Sequence, residues 1–207
     1  MNTTLPFSES AERNQKPIAQ VLKDFITKQD RNIFEIGSGT GQHAAYLGSC
    51  FSHLDWQTSD VKSNHSTIQA YIDRANLNNL LSPIEFEVGK TPWPRKRFDI
   101  VYTANTLHIM SWKNVKTTLK SVNKIMNEGG QFFIYGPFKF DGEFTSESNE
   151  KFDLMLKEND PQRGIRNFED IKTNLEKNNL MFTNKIEMPA NNMILVFTKI
   201  TKQEDKK

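Results

Sequence analysis

The stretch FEIGSGTGQHAAYL, residues 34–47, decides the fold because its pattern predicts a strand, a glycine loop and a helix in immediate succession. The apolar segment at residues 32–36 is typical of a short buried strand, and Gln42–Leu47 opens a helix. Between them lie three alternating glycines, Gly37, Gly39 and Gly41. A glycine loop between a strand and a helix indicates a ligand site in an open α/β sheet.

Length, composition and charge limit the class of protein. With 207 residues, the chain is expected to form one domain, residues 1–207, with a frayed tail at 201–207. Apolar residues make up 36% of the chain and charged residues 25%, as in soluble globular proteins. The 27 basic and 25 acidic residues leave a net charge of +2, so we expect no nucleic-acid partner.

Cysteine content and hydropathy exclude further classes. Cys50 is the only cysteine, so the chain can form neither an internal disulfide nor a cysteine-based metal cluster, and we expect no metal site. No apolar stretch approaches the ~20 residues of a membrane helix. The polar start MNTTLPFSES, residues 1–10, lacks a signal-peptide core. We therefore expect a cytoplasmic protein without a membrane partner.

Helical and strand-like patterns alternate along the chain, without internal repeats. The predicted strands lie at residues 32–36, 54–58 (ending at Asp60), 83–88, 98–104, 131–135, 182–187 and 193–200. Predicted helices lie at residues 18–26 with Pro17 in an early turn, then at 42–47, 66–75, 115–126, 149–157 and 168–177. This alternation predicts an α/β fold with an open, mostly parallel seven-stranded sheet and helices on both faces. The last two strands predict a C-terminal antiparallel hairpin.

The ligand of the glycine loop is predicted from the residues that flank it. A dinucleotide site requires G-x-G-x-x-G, but Gln42 occupies the position of the third glycine. Glu35, two residues before the first glycine, is a poor neighbour for a pyrophosphate and a good acceptor for an ammonium group. Asp60 is placed to accept both hydroxyls of a ribose. These groups favour S-adenosyl-L-methionine over NAD as the cofactor.

The loop and its flanking acids resemble those of the class I S-adenosylmethionine-dependent methyltransferases, which have a Rossmann-like sheet. The whole chain resembles more closely the family named methyltransferase-like 26 in animals, whose bacterial members are filed as a domain of unknown function. The motifs that carry this resemblance are AERNQKPI (residues 11–18), GSGTGQHAAY (37–46), WQTSD (56–60), YGPF (135–138), SNEKFDLML (148–156), GIRNFED (164–170) and MPANNMILVF (188–197). The resemblance implies a seven-stranded class I sheet and leaves the acceptor unassigned.

Ligands of open α/β sheets bind beyond the carboxyl ends of the strands, and this rule selects the other cofactor candidates. Glu87, near the end of the third predicted strand, either faces the adenine, as the resemblance implies, or points to solvent. Asn105 follows the fourth strand and is a candidate for bonding the cofactor's amino-acid end. His43 is interpreted as ordering the loop. The predicted cofactor set is Glu35, Gly37, Gly39, Gly41, Asp60, Glu87 and Asn105.

Four separate segments are expected to converge over the transferred methyl group and to form a small, polar acceptor site. They contribute Arg13, Asn14, Tyr135, Asn149, Asp153, Asn191 and Asn192. An ordinary structural role competes with this one for the pair Arg13-Asn14 near a helix cap, for Tyr135 before a turn and for the asparagines of the last turn.

Methyl transfer from a sulfonium needs an acceptor held close and dehydrated, and positioning contributes about 7–11 kcal/mol in favourable cases. No catalytic base is required. If the acceptor is a neutral amine or hydroxyl, His108, Tyr135 and Asp153 are candidates to take its proton, although packing beneath a helix also explains His108. The predicted function is methyl transfer to a small polar molecule, with a protein side chain as second choice. The alternatives are a non-catalytic methyltransferase-fold binding module and an NAD-dependent oxidoreductase.

Overall fold

The computed structural model describes residues 5–201. Their six α-helices are α1 (Glu9–Phe25), α2 (Gln42–Cys50), α3 (His65–Ala75), α4 (Trp112–Ser121), α5 (Glu147–Asn159) and α6 (Phe168–Glu176). The strands are β1 (Asn32–Glu35), β2 (Asp55–Asp60), β3 (Leu80–Glu85), β4 (Phe98–Ala104), β5 (Met126–Gly136), β6 (Phe138–Phe140), β7 (Glu143–Phe144), β8 (Arg166–Asn167), β9 (Leu180–Met188) and β10 (Asn192–Lys199). Short 3₁₀ turns lie at Lys62–Asn64, Val122–Ile125 and Pro189–Asn191. Residues 202–207 of the predicted frayed tail lie outside the described residues.

Seven strands hydrogen-bond into one sheet in the order β3-β2-β1-β4-β5-β10-β9. β1 pairs with β2, and β2 with β3, in parallel, whereas β10 is antiparallel to both β5 and β9. The predicted fold class, a mostly parallel seven-stranded sheet with a C-terminal antiparallel hairpin, is confirmed. A separate three-stranded sheet, β7-β6-β8, was not predicted, because its strands are only two or three residues long.

By its internal contacts the chain divides into two compact units. The first unit comprises the residues up to Pro92 together with Tyr102–Ala104. Its core contains fully buried apolar side chains from the strands and helices, including Ile33, Phe34, Trp56, Leu47 and Ile68. The second unit comprises Trp93–Val101 and the residues from Asn105 onward. Its core includes Phe132, Phe133, Ile171, Leu175 and Phe197, all fully buried.

Helix α1 begins earlier than predicted and contains Pro17 in its interior rather than in its first turn. Ser8 is the N-cap, where its Oγ accepts the N–H of Ala11 at 3.3 Å. The buried stripe that includes Ile18 and Leu22 holds the helix on the first unit. This burial overrides the local preference of proline, which removes one helical hydrogen bond and costs about 3 kcal/mol in a helix interior.

Two strand boundaries also differ from the prediction. β3 runs over Leu80–Glu85, with Leu80 opposite Trp56, and tolerates Pro83 because it is the edge strand of the sheet. β5 begins at Met126, so the strand contains the two glycines that were predicted to end a helix at that point. Helix α4 instead ends at Ser121 and passes into a 3₁₀ turn.

None of the helices formed by residues 5–201 is long and apolar enough to cross a membrane.

Candidate functional site

The glycine loop of the first unit needs its glycines for backbone geometry. Gly37, Gly39 and Gly41 have φ angles of +76°, +59° and +90°, in the left-handed region that residues with a Cβ adopt at a cost. At Gly41 a Cβ would lie 3.0 Å from the Cα of Ile68 and 3.2 Å from the Cβ of Tyr71. Gly41 is therefore the residue that lets α2 begin close against α3.

Four N–H groups of this loop, those of Gly37, Ser38, Gly39 and Gly41, are bonded within the protein. Those of Gly37 and Ser38 donate to the carbonyl of Ser59 at 3.1 and 2.9 Å. The N–H of Gly41 donates to the carbonyl of Ser38 at 2.8 Å. A pyrophosphate site requires backbone donors that are aimed at the ligand, and here these donors are already used. The loop is built differently from a dinucleotide-binding turn.

Asp60, the last residue of β2, closes the loop. Its Oδ2 accepts the N–H of Gly39 at 2.7 Å, and its Oδ1 accepts the N–H of Val61 at 2.7 Å and the Nδ2 of Asn64 at 3.0 Å. An ionised carboxylate offers about four acceptor positions, so three donors leave room for about one more. The expectation that Asp60 accepts both ribose hydroxyls thus requires Asn64 to give up its bond.

Glu35, the last residue of β1, is a buried carboxylate with 1% of its surface exposed. Its Oε2 accepts the hydroxyl of Ser38 at 2.8 Å and the indole N–H of Trp56 at 3.0 Å. Burial, with a smaller contribution from the charge of Asp60, raises the pKa of Glu35 to about 7, although the hydrogen bonds from Trp56 and Ser38 act to lower it. A cationic ligand group beside it would favour the ionised form.

Glu87 lies two residues beyond the end of β3, in a turn that Thr91 closes. The N–H of Glu87 donates to the Oγ1 of Thr91 at 2.8 Å, and its carboxylate pairs with the Nζ of Lys90 at 2.6 Å. This exposed ion pair contributes little stability. The adenine-facing role of Glu87 stays a prediction.

Two neighbouring residues of α1, predicted as substrate ligands, have different surroundings. Arg13 is exposed and faces Glu9 across 3.5 Å, as in the surface interpretation. Asn14 is buried, and its Oδ1 lies 2.5 Å from the Nε2 of His43. Burial lowers the pKa of His43 to about 4, so at neutral pH the ring is uncharged, with Nε2–H donating to Asn14 and Nδ1 facing the hydroxyl of Tyr102 at 3.4 Å. His43 fixes α1 on the first turn of α2 beside the glycine loop.

Gln42, at the position of a third dinucleotide glycine, anchors the segment that precedes α1. Its Oε1 accepts the N–H of Ser8 at 2.6 Å, and its Nε2 donates to the carbonyl of Ser8 at 3.3 Å. The hydroxyl of Tyr71 donates to the carbonyl of Pro6 at 3.0 Å. The sequence feature that could have indicated this anchoring role of Gln42 is the absence of a third glycine at position 42. That absence was interpreted only as evidence against NAD.

In the second unit, Asn105 follows β4 in the left-handed conformation, with φ of +54°, which asparagine tolerates. Its N–H donates to the carbonyl of Tyr135 at 2.9 Å. Tyr135 lies within β5, opposite Ile194 of β10, and is 3% exposed. The structure thus brings Asn105 and Tyr135 together through the backbone, and their cofactor and substrate roles stay predictions.

His108 and Asp153, two candidate bases of the second unit, are both engaged in packing. His108 is 5% exposed and packs edge-on against Phe152, and burial together with the charge of Arg166 lowers its pKa to about 4. Asp153 is 2% exposed; its Oδ1 accepts the N–H of Ile165 at 2.6 Å, and its Oδ2 pairs with the Nζ of Lys157 at 2.6 Å. Both residues therefore hold the structure around them.

Arg166, which the sequence did not single out, joins the loop after β4 to the segment at residues 160–167. Its Nε donates to the carbonyl of Leu107 at 3.1 Å, and its Nη2 donates to the carbonyl of Met110. The N–H of Gly164 donates to the carbonyl of His108 at 2.9 Å. The only available signal was its place in the GIRNFED motif, because its partners are carbonyls that any residue can supply.

The asparagines predicted to line the substrate site meet in part. Asn149 is 6% exposed, and its Nδ2 donates to the carbonyl of Asn191 at 3.0 Å and to the Oγ1 of Thr145 at 2.8 Å. Asn192 instead bonds the carbonyls of Pro189 and Ala190 within its own turn. The structure therefore brings Asn149 to the turn before β10, and Asn192 shapes that turn.

The chain matches a protein-family model and is similar to a curated enzyme. A protein-family model described as "Protein of unknown function (DUF938)" matches residues 5–199. A curated fatty-acid O-methyltransferase of Mycolicibacterium smegmatis is 26% identical over 137 residues, which are 63% of this chain and 46% of that protein.

Solved structures share the fold. An O-methyltransferase family protein from Burkholderia thailandensis superimposes with a TM-score of 0.75 at 14% identity, covering 92% of this chain and 57% of the other. Human N-acetylserotonin methyltransferase in complex with SAM gives a TM-score of 0.76 at 16% identity, covering 93% and 53%. The chain spans about half the length of these relatives. The class I methyltransferase fold is confirmed, whereas the resemblance to methyltransferase-like 26 stays a prediction.

Proposed function

The chain belongs to the family described as "Protein of unknown function (DUF938)", and from this premise and its fold we propose that it is an S-adenosylmethionine-dependent methyltransferase acting on a small polar acceptor. Because one fold hosts many functions, the proposal depends on the site rather than on the fold. The observation that carries it is the bond between Gly39 and Asp60, which places a carboxylate where a dinucleotide site would present free N–H donors.

The charges of the first unit fit S-adenosylmethionine better than NAD. Two carboxylates, Glu35 and Asp60, end neighbouring strands next to the glycine loop, and Asp60 acts on the pKa of Glu35. Glu35 suits the ammonium group of the cofactor, and Asp60 keeps an acceptor position for a ribose hydroxyl. A pyrophosphate would instead bring negative charge against two acids, at a loop where the N–H groups of all three glycines are already bonded.

When bound, with Glu35 at its ammonium group and Asp60 at a ribose hydroxyl, S-adenosylmethionine would supply an electrophilic methyl group on a sulfonium. The chain's contribution is then to hold and dehydrate the acceptor. His108 has a pKa near 4, and Asp153 is already bonded to Ile165 and Lys157, so neither is poised as a base. We therefore propose a mechanism by positioning, in which the acceptor's proton leaves to solvent.

The acceptor class is proposed from charge and from the candidate substrate residues. These residues are mostly neutral amides, and the net charge of +2 is only a small excess of cations, which does not favour a nucleic acid. A small polar metabolite is our first choice and a protein side chain our second. The mycobacterial relative is a fatty-acid O-methyltransferase, so fatty acids are a further class of acceptor to test.

Calorimetric titration of the full chain with S-adenosylmethionine, S-adenosylhomocysteine and NAD tests the cofactor. We expect saturable heat with the first two and none with NAD. Asp60→Asn should weaken binding, whereas Asp55→Asn, an exposed acid at the other end of β2, is the matched control. Binding of NAD alone would replace the proposal with an oxidoreductase.

Turnover is tested separately with cofactor that carries a labelled methyl group, incubated with cell extract and fractionated into small molecules, lipids, protein and RNA. We expect label in the small-molecule fraction. Label in the protein fraction would favour the second acceptor choice. Cofactor binding without label in any fraction would favour a non-catalytic binding module.

A further inference from the structure

The first unit contains a cavity apart from the glycine loop, on the side of α2 that faces α1 and α3. Its volume is about 480 Å³, within the range of small-molecule sites. Two small residues that line it, Ala45 on α2 and Ala75 on α3, leave space between the helices. Of the predicted cofactor residues, none lines this cavity. A ligand here would therefore occupy a site distinct from that of the cofactor.

The side chain of one mostly buried polar residue lines the cavity. Gln15, on α1, is 6% exposed and lines this space. Among residues 5–201, no atom forms a hydrogen bond with its side-chain amide. An amide that borders a cavity is available to donate or accept a hydrogen bond with a polar group of a ligand that enters it.

Three aromatic rings, those of Phe7, Tyr46 and Tyr71, line the same cavity. Phe7 is 61% exposed although the backbone on both sides of it is bonded, at Pro6 to Tyr71 and at Ser8 to Gln42. The backbone bonds hold Phe7 in place while its ring stays exposed. An aromatic ligand that packs on this ring would bury apolar surface that is now in contact with water. The rings therefore favour an aromatic body for the ligand.

The lining carries one acid and one base, Glu12 and Arg74. Within the described part of the chain, neither side chain has an ion-pair partner. Both residues are exposed. An exposed ion pair with a ligand contributes little energy, but it makes binding selective for charge. A ligand with a cationic and an anionic end would match both charges, whereas a simple acid or amine would match one and face the other.

We propose that this cavity binds an aromatic α-amino acid. Its carboxylate pairs with Arg74, its ammonium group pairs with Glu12, and its ring packs among Phe7, Tyr46 and Tyr71. The amide of Gln15 then bonds the polar end of the ligand. This site is independent of the proposed methyl transfer, because its residues are not those of the cofactor set.

Calorimetric titration of the full chain with L-phenylalanine, without S-adenosylmethionine, tests the proposal. We expect saturable binding, and binding about tenfold or more weaker for 3-phenylpropionate, which lacks the ammonium group, and for 2-phenylethylamine, which lacks the carboxylate. L-Alanine, which lacks the ring, should also bind much more weakly. Equal binding of either one-charge analogue would overturn the assignment to an amino acid, and the absence of saturation would overturn the site.

Variants locate the binding. Arg74→Gln and Glu12→Gln should each weaken L-phenylalanine by about tenfold, whereas Arg95→Gln and Glu150→Gln, exposed residues outside the lining, should not. Ala45→Leu should block the cavity. Because Arg74 and Glu12 are exposed, their variants are expected to fold even if Ala45→Leu does not. Unchanged binding in both charge variants would refute the proposal, while failure of cofactor binding would leave it standing.

Discussion

The carboxylate of Asp60 accepts the backbone N–H of Gly39 at 2.7 Å, so the end of β2 is tied to the middle of the glycine loop. The two residues are 21 positions apart in the sequence. The bond fixes the left-handed conformation of Gly39 and consumes a donor that a phosphate would otherwise use. It makes Asp60 both a structural residue of the loop and a candidate ligand for the cofactor.

Asp60→Ala should therefore reduce stability as well as cofactor affinity. Three donors, the N–H groups of Gly39 and Val61 and the amide of Asn64, lose their acceptor. Because the site is half-buried, we expect a loss of about 1–3 kcal/mol in the free energy of unfolding, measured by urea denaturation. Asp55→Ala, at the exposed start of β2, should change it little. Equal stabilities of the two variants would contradict this account.

Glu35 should make the protein less stable as pH rises from about 4.5 to about 7. Its pKa is raised by burial from 4.5 to about 7, so over this window the folded state holds a proton that the unfolded state has released. Its stabilising contribution is complete below the unfolded pKa and is lost as pH rises through the folded pKa. The expected size is a few kcal/mol at most.

Comparison with Glu35→Gln isolates this effect, because the amide still accepts bonds from Ser38 and Trp56. Comparison with the variant is needed because His43 and His108 also make stability depend on pH. Burial lowers their pKa values to about 4, so they make the protein more stable as pH rises from 4 to 6.5. Urea denaturation at several pH values gives the difference between wild type and variant. A difference that does not change with pH would show that Glu35 has an ordinary pKa.

Gln42→Ala should release the segment before α1. The variant removes both bonds between the Gln42 side chain and the backbone of Ser8. We expect a loss of about 1–2 kcal/mol in stability and faster amide hydrogen exchange at residues 5–9. Gln20→Ala, an exposed glutamine on α1, is the control and should leave exchange there unchanged. Unaltered exchange in Gln42→Ala would mean that other contacts hold the segment.

Asp153→Asn distinguishes a structural aspartate from a catalytic base. Asparagine retains an oxygen for the N–H of Ile165 but cannot pair with Lys157 or take a proton. If Asp153 holds the segment at residues 160–167, Asp153→Ala should lose about 1–3 kcal/mol in stability and Asp153→Asn less, with turnover retained in the latter. A stable Asp153→Asn variant without turnover would identify Asp153 as the base.

The sequence by itself determined the order of elements, the class of sheet and the positions where glycine is required. These follow from hydrophobic period and turn chemistry, which are local properties. It also selected Glu35, which lies two residues before the first glycine of the loop, and Asp60, which ends the second predicted strand. The boundaries of β3 and β5 and the place of Pro17 could not be predicted, because burial and sheet edges decide them.

Only the tertiary structure decided what each polar side chain bonds. Gln42 and Ser8 are 34 residues apart, and the loop donors meet Ser59 and Asp60 on another strand, so no local pattern encodes these pairs. No local pattern encodes the partner of Asp153 either. Asp153 was predicted to lie over a substrate, but it is buried and accepts the N–H of Ile165. Buried polar groups must find partners within the fold, and those partners come from wherever the chain passes.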